Sequence, residues 1–202
     1  MSGLLLTLLL LADRPAPSPD LVDAAPAVPG LVVDLRYARQ DNVFGRAFYP
    51  RGARCLLLRP VAGRLARAAE TLARQGYRLK VWDCYRPHTV QWAMWEQVPT
   101  KGYVADPHTG SHHNRAAAVD VTLVRLDGSE VEMPTAFDAF GPAARHGAKV
   151  SSPAVGERRE LLRAAMEGAG FRVNRAEWWH YEAPEAKGAP MLDLPLDAPA
   201  GR

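Results

Sequence analysis

The stretch from Gly110 to Val124, GSHHNRAAAVDVTLV, constrains this chain more than any other. It sets two imidazoles, His112 and His113, ahead of an apolar run and then carries a carboxylate, Asp120, into a strand. A mononuclear hydrolytic zinc takes three protein ligands, mostly nitrogen and oxygen, and leaves a fourth position open to water. One histidine of the pair and Asp120 would supply two ligands. The third has to come from elsewhere, and Glu177-Trp178-Trp179-His180 is the other stretch that pairs a histidine with a base. Alone, the first segment reads as a solvated loop and the second as an exposed strand with aromatic packing. Together they point to a catalytic metal site, because ligands distant in sequence meet in the fold.

The rest of the composition bounds the function classes. A chain of 202 residues, 48% hydrophobic, has material for one domain with tails. Its 25 Lys and Arg against 22 Asp and Glu leave a net charge of +3, spread along the chain. No basic cluster is interleaved with aromatics, which argues against nucleic acid as a partner. The apolar run Leu4 to Ala12 is too short to span a bilayer. It has the length of a signal-peptide core, although no Lys or Arg precedes it. Export, to the periplasm, is the expectation; a mis-called start or a packed N-terminal helix in a cytoplasmic protein is the alternative. Cys55 and Cys84 bear on the same question, since they would pair in an oxidising compartment and stay buried thiols in the cytosol. Nothing in the composition sets the oligomeric state.

Prolines from Pro15 to Pro29 read as a linker, so residues 1–29 are taken as a signal-like segment and linker and 30–197 as the domain. Leu31 to Leu35 reads as a short strand, followed by a long ordered loop over Asp34 to Tyr49. Val61, Leu65, Ala68, Ala69 and Leu72 recur at helical spacing between Pro60 and Gly76. Tyr77 to Asp83 alternates as a strand, and a second helix runs from Pro87 to about Gln97, with Trp92 and Trp95 taken as core. Ala118 to Arg125 is a strand with Asp120 and Thr122 on one face, and Val131 to Met133 is expected to return as its hairpin partner. A helix is expected over Glu157 to Met166, then a last strand from Phe171 into Glu177 to Tyr181. Arg86 stands at a strand-to-helix junction. It reads either as a capping residue or as a fixed guanidinium for a developing oxyanion.

Five stretches in order resemble the D-alanyl-D-alanine dipeptidase family: DLRYARQDN at Asp34, WDCYRP at Trp82, KGYVADPHTGSHHNRAAAVDVTL at Lys101, AFD at Ala136 and EWWHY at Glu177. The family's zinc enzymes share their fold with lysostaphin-type peptidases and the hedgehog signalling domain. The resemblance implies an α+β fold, a small antiparallel sheet with helices mainly on one face. It also implies one zinc ion per chain on His113, Asp120 and His180, with Glu177 as general base and Arg86 stabilising the transition state. Asp138 would receive the ammonium of a small dipeptide, while Tyr37 and Ser111 would line the pocket. Two positions depart from the pattern: His112 stands where serine is common and Ala116 where glycine is common. The extra imidazole would either alter substrate choice or compete as a ligand.

Glu177 and His180 lie three apart, and in a regular strand such residues face opposite sides. A bulge, a bend, or Glu177 lying just before the strand would resolve this. The resemblance implies hydrolysis of D-alanyl-D-alanine in cell-wall metabolism. The alternatives are a D,D-carboxypeptidase or other cell-wall peptidase of the same fold, and a metal-stabilised binding module without turnover. Glu177 and Arg86 argue against the last, because a structural zinc needs neither.

Overall fold

The computed structural model describes residues 19–98 and 102–197, and in it the fold begins before Gly30. Leu21–Asp23 forms a strand, β1, and Ala24–Ala27 a single helical turn, α1, where the Asp23 carboxylate accepts from the Ala25 amide. After Val32–Val33, β2, the chain returns as Leu56–Leu58, β3, which pairs antiparallel with β1. Ala24 and Val28 are fully buried, and Asp20 pairs with Arg59 at 2.6 Å. The stretch read as linker is therefore packed structure from Leu21 to Pro29. Elements of three and four residues are too short to show a period, which is why the prolines dominated the reading. The run Leu4 to Ala12 lies outside the described residues.

The expected amphipathic helix is α2, Arg59–Ala73, with Val61, Leu65, Ala68, Ala69 and Leu72 all buried. Burying a leucine such as Leu65 or Leu72 stabilises the fold by about 1.5–3 kcal/mol. Gly76, at φ 84°, turns the chain into β4, Tyr77–Asp83. A short helix, α3, follows at His88–Trp95. Its buried residues are Gln91 and Met94; Trp92 and Trp95 are half-buried, and Trp95 packs against the core while also lining a cavity.

Ala118–Arg125 is β5, and Pro153–Gly168 is a long helix, α4, capped by Ser152 and packed with α2 over the same face of the sheet. It starts four residues before the expected Glu157, because Val155 is the one buried apolar residue of its first two turns and a single position shows no period. The expected last strand is two, β6 at Arg172–Val173 and β7 at His180–Glu182, paired antiparallel around a turn. The expected hairpin return at Val131 to Met133 is reduced to one bridge between Val124 and Glu130. Sheet order is β2-β4-β5-β7-β6. Every neighbouring pair is antiparallel except the edge pair β2 and β4, which is parallel. The class is α+β, as the sequence indicates, with one parallel edge.

Alternation along β4 and β5 sends Leu79, Val81, Val121 and Leu123 to one side and Lys80, Thr122 and Asp120 to the other. The register shifts between Val81 and Asp83, so that Asp83 stands opposite Asp120. Such a shift re-aims a side chain, and here it carries Asp83 to the face that holds Asp120.

Candidate metal centre

Strand β5 carries Asp120 and its neighbour β7 places His180 directly across from it in register. His113 arrives from a 3-10 turn, His113–Arg115, just before β5. That turn is tightly held. Asn114 donates to Arg86 O at 2.9 Å, accepts from the Ser111 amide at 2.7 Å, and is fully buried. Gly110, at φ 72°, precedes it where any Cβ would collide with Met191. The turn closes through Ala116 in the left-handed region, φ 52° and ψ 32°, buried completely. Glycine is free there, whereas an L-residue is destabilised by about 1–2 kcal/mol. This departure from the family pattern thus bears on stability.

Three atoms converge. His113 Nε2 lies 3.2 Å from His180 Nδ1 and 3.4 Å from Asp120 Oδ1, and the last two are 3.0 Å apart. All three residues are buried. Burial alone would raise the Asp120 pKa, but His113 and His180 outweigh it and hold the carboxyl well below the usual range. Among the described residues this is the cluster able to hold a metal, and His112 is not part of it. His112 turns instead to Glu182, with Nδ1 3.0 Å from Oε2.

The triangle faces a cavity of about 570 Å³ lined by Tyr37, Arg86, Ser111, Asp138 and Glu177 among others. Glu177 lies in the turn just before β7, which is how it reaches the same side as His180. Its Oε2 is 4.0 Å from His180 Nδ1 and accepts from Asn174 Nδ2 at 3.1 Å. Burial raises the Glu177 pKa, Asp120 adds to this, and His180 opposes it. Trp178 and Trp179 anchor this turn by packing on Trp82 and Phe137, which draws the EWWHY and AFD stretches together.

Asp138 stands at φ 56°, buried, and accepts from Tyr37 Oη at 2.9 Å. Burial and the charge of Asp120 push it up to about 8. Among the described residues no cation lies within ion-pair distance of it. Arg86 lines the same cavity, its guanidinium carbon 5.2 Å from the centroid of the Tyr37 ring. Asp83 accepts from its Nε at 3.0 Å and its Nη2 at 2.6 Å, and Gln91 from its Nη1 at 3.0 Å. Three of the five guanidinium donors are used, leaving two. Ser111 contributes its Oγ, which accepts from the His113 amide at 3.2 Å.

The sequence reading gave no role to Asp83, Gln91 or Glu182. Glu182 carried a signal, since it lies two residues after His180 on one strand. Asp83 did not, because its orientation depends on the register shift.

The D-ala-D-ala dipeptidase family model matches residues 18–195. The chain belongs to this peptidase family. A family dipeptidase of Escherichia coli strain K12 is 37% identical over 173 residues, 86% of this chain and 89% of that protein. The D-alanyl-D-alanine dipeptidase of Enterococcus faecium is 34% identical, covering 76% of this chain and 86% of that protein. The family protein of Streptomyces coelicolor is 31% identical over 195 residues, 85% and 94% of the two chains.

Proposed function

We propose that this protein is a zinc-dependent dipeptidase that cleaves D-alanyl-D-alanine to two D-alanines, the dipeptidase activity for which its relatives are named. The carrying observation is the ligand triangle. For bonds of about 2.0–2.1 Å, a tetrahedral edge is about 3.3–3.4 Å. The measured edges of 3.0, 3.2 and 3.4 Å suit His113, Asp120 and His180 as one face of a zinc tetrahedron, and two imidazoles with a carboxylate are a hydrolytic donor set.

When bound, zinc supplies positive charge that acidifies water and polarises the peptide carbonyl. Glu177 takes the proton from that water and hands it to the leaving amine. Its raised pKa suits both transfers. Arg86 directs its two spare donors to the oxyanion. Asp138, buried without a cation, receives the substrate ammonium, with Tyr37 fixing its orientation. A blocked or extended amino end would leave Asp138 without that partner, which favours a free dipeptide over a longer stem peptide.

The test is zinc analysis joined to hydrolysis assays on the purified chain. Expected are about one zinc per chain, turnover of D-alanyl-D-alanine, loss of turnover with chelator and its return with zinc. Faster cleavage of a stem pentapeptide than of the dipeptide would favour a D,D-carboxypeptidase, and no zinc would sink the metal reading.

Export is part of this proposal. Cys55 and Cys84 are bridged, with Cα atoms 5.3 Å apart, and such bridges persist in oxidising compartments. The bridge braces the strand end that presents Arg86 and the carbonyl of Cys84, which faces His113 Nδ1 at 2.6 Å. Across its 29-residue separation it stabilises by roughly 3–4 kcal/mol in the chain-entropy model. Thiol titration of unreduced, denatured protein from its native compartment is expected to find no free thiol; two would contradict export.

A further inference from the structure

The two ligand histidines are steadied by different partners. His113 offers Nε2 to the triangle, and its Nδ1 faces the carbonyl of Cys84. His180 offers Nδ1, so its ring proton belongs on Nε2, and that nitrogen lies 3.3 Å from Glu182 Oε1. Strand alternation puts the carboxylate there, because residues i and i+2 of β7 share a face. Backbone pairing of Glu182 with Ala118 on one side and Arg172 on the other fixes its Cα. Its second oxygen meets Nδ1 of His112, the residue directly before the ligand His113. One carboxylate therefore joins the strand bearing one ligand to the turn bearing another.

We propose that Glu182 is a positioning residue for metal retention, holding His180 with Nδ1 toward the ligand cluster, and that His112 holds Glu182 in place. This rests on the zinc reading above. A metal-bound histidine gains orientation and basicity when its other nitrogen meets a carboxylate, and loss of such a partner typically weakens metal affinity 10–100-fold. The role also accounts for His112, whose imidazole stands near the cavity without entering the ligand triangle. Both contacts of Glu182 are at ion-pair distance, 3.0 Å to His112 and 3.3 Å to His180, and His112 reaches the ligand cluster only through Glu182, so its share is the smaller one.

The experiment measures zinc affinity of the full chain by competition with a chromophoric chelator. Glu182→Ala is expected to weaken binding about 10- to 100-fold, His112→Ala by less than about tenfold, and Glu182→Gln, which keeps an acceptor, by less than Glu182→Ala. The chelator-treated proteins should melt at the wild-type temperature, which separates positioning from a role in folding. Should Glu182→Ala misfold, Glu182→Met fills similar space without an acceptor and carries the same expectation. Wild-type affinity in a folded acceptor-free variant overturns the proposal, as does equal weakening by Glu182→Gln and Glu182→Ala. A wild-type chain that binds no zinc sinks the zinc reading and this role with it.

Discussion

Glu177→Gln is expected to lower turnover of the dipeptide by about 100- to 10,000-fold or more while zinc content stays at the wild-type level. Glu177 lies outside the ligand triangle, 4.0 Å from His180 Nδ1, so its removal leaves the three donor atoms in place. Glutamine keeps an oxygen able to accept from Asn174, which preserves the turn before β7. What it loses is the ability to take a proton. Burial raises the Glu177 pKa, and a base must be deprotonated to act, so the acid limb of kcat/KM is expected above the pH of an ordinary glutamate. That limb should be absent from the residual activity of Glu177→Gln. Metal analysis beside steady-state rates decides the matter; near-normal turnover in zinc-loaded Glu177→Gln removes the residue from the mechanism.

Legibility in the sequence followed element length. Helix α2 was readable because five buried positions repeat at helical spacing over four turns. Strand β5 was readable because Val119, Val121 and Leu123 alternate with Asp120 and Thr122 at a period of two, and all are buried. The failures were local and physical. Strand β1 and helix α1 each span one turn or less and exist through pairing with β3 and burial of Ala24 and Val28. The direction of β2 is a property of its partner β4, which no local pattern reports. The split of the last strand into β6 and β7 comes from Asn174, whose side chain closes the turn locally, and from the tryptophan cluster, which acts through tertiary contacts.

The site divides the same way. Metal-type residues at characteristic spacings on β5 and β7 were visible as residue types, and the structure brings His113, Asp120 and His180 within hydrogen-bond range of one another. The position of Glu177 before a strand resolves the parity problem that its spacing from His180 raised. The support beneath was hidden. Asp83 reads as the last residue of an alternating strand, on the helix side by parity, and it reaches Arg86 because the register shifts at that point.

That hidden support makes Arg86 the second residue of large expected effect. Asp83 is completely buried and takes two bonds from Arg86 on Oδ2, while Oδ1 accepts from Tyr49 at 2.6 Å and from the Cys84 amide at 3.0 Å. Arg86→Ala is expected to reduce kcat about 100- to 1,000-fold by removing oxyanion donors. It should also lower stability by about 3–5 kcal/mol, because the buried Asp83 carboxylate loses its ion pair. Arg86→Lys keeps a charge but not the planar fork, so it should fold better while remaining slow. The two effects separate in a double variant. Asp83→Asn with Arg86→Ala removes the unpaired charge, so urea unfolding should recover part of the lost stability while kcat stays low, with zinc content checked because Asp83 Oδ2 lies 3.6 Å from His113 Nδ1. If turnover instead returns along with stability, Arg86 serves the fold alone, and the oxyanion must be stabilised by other groups.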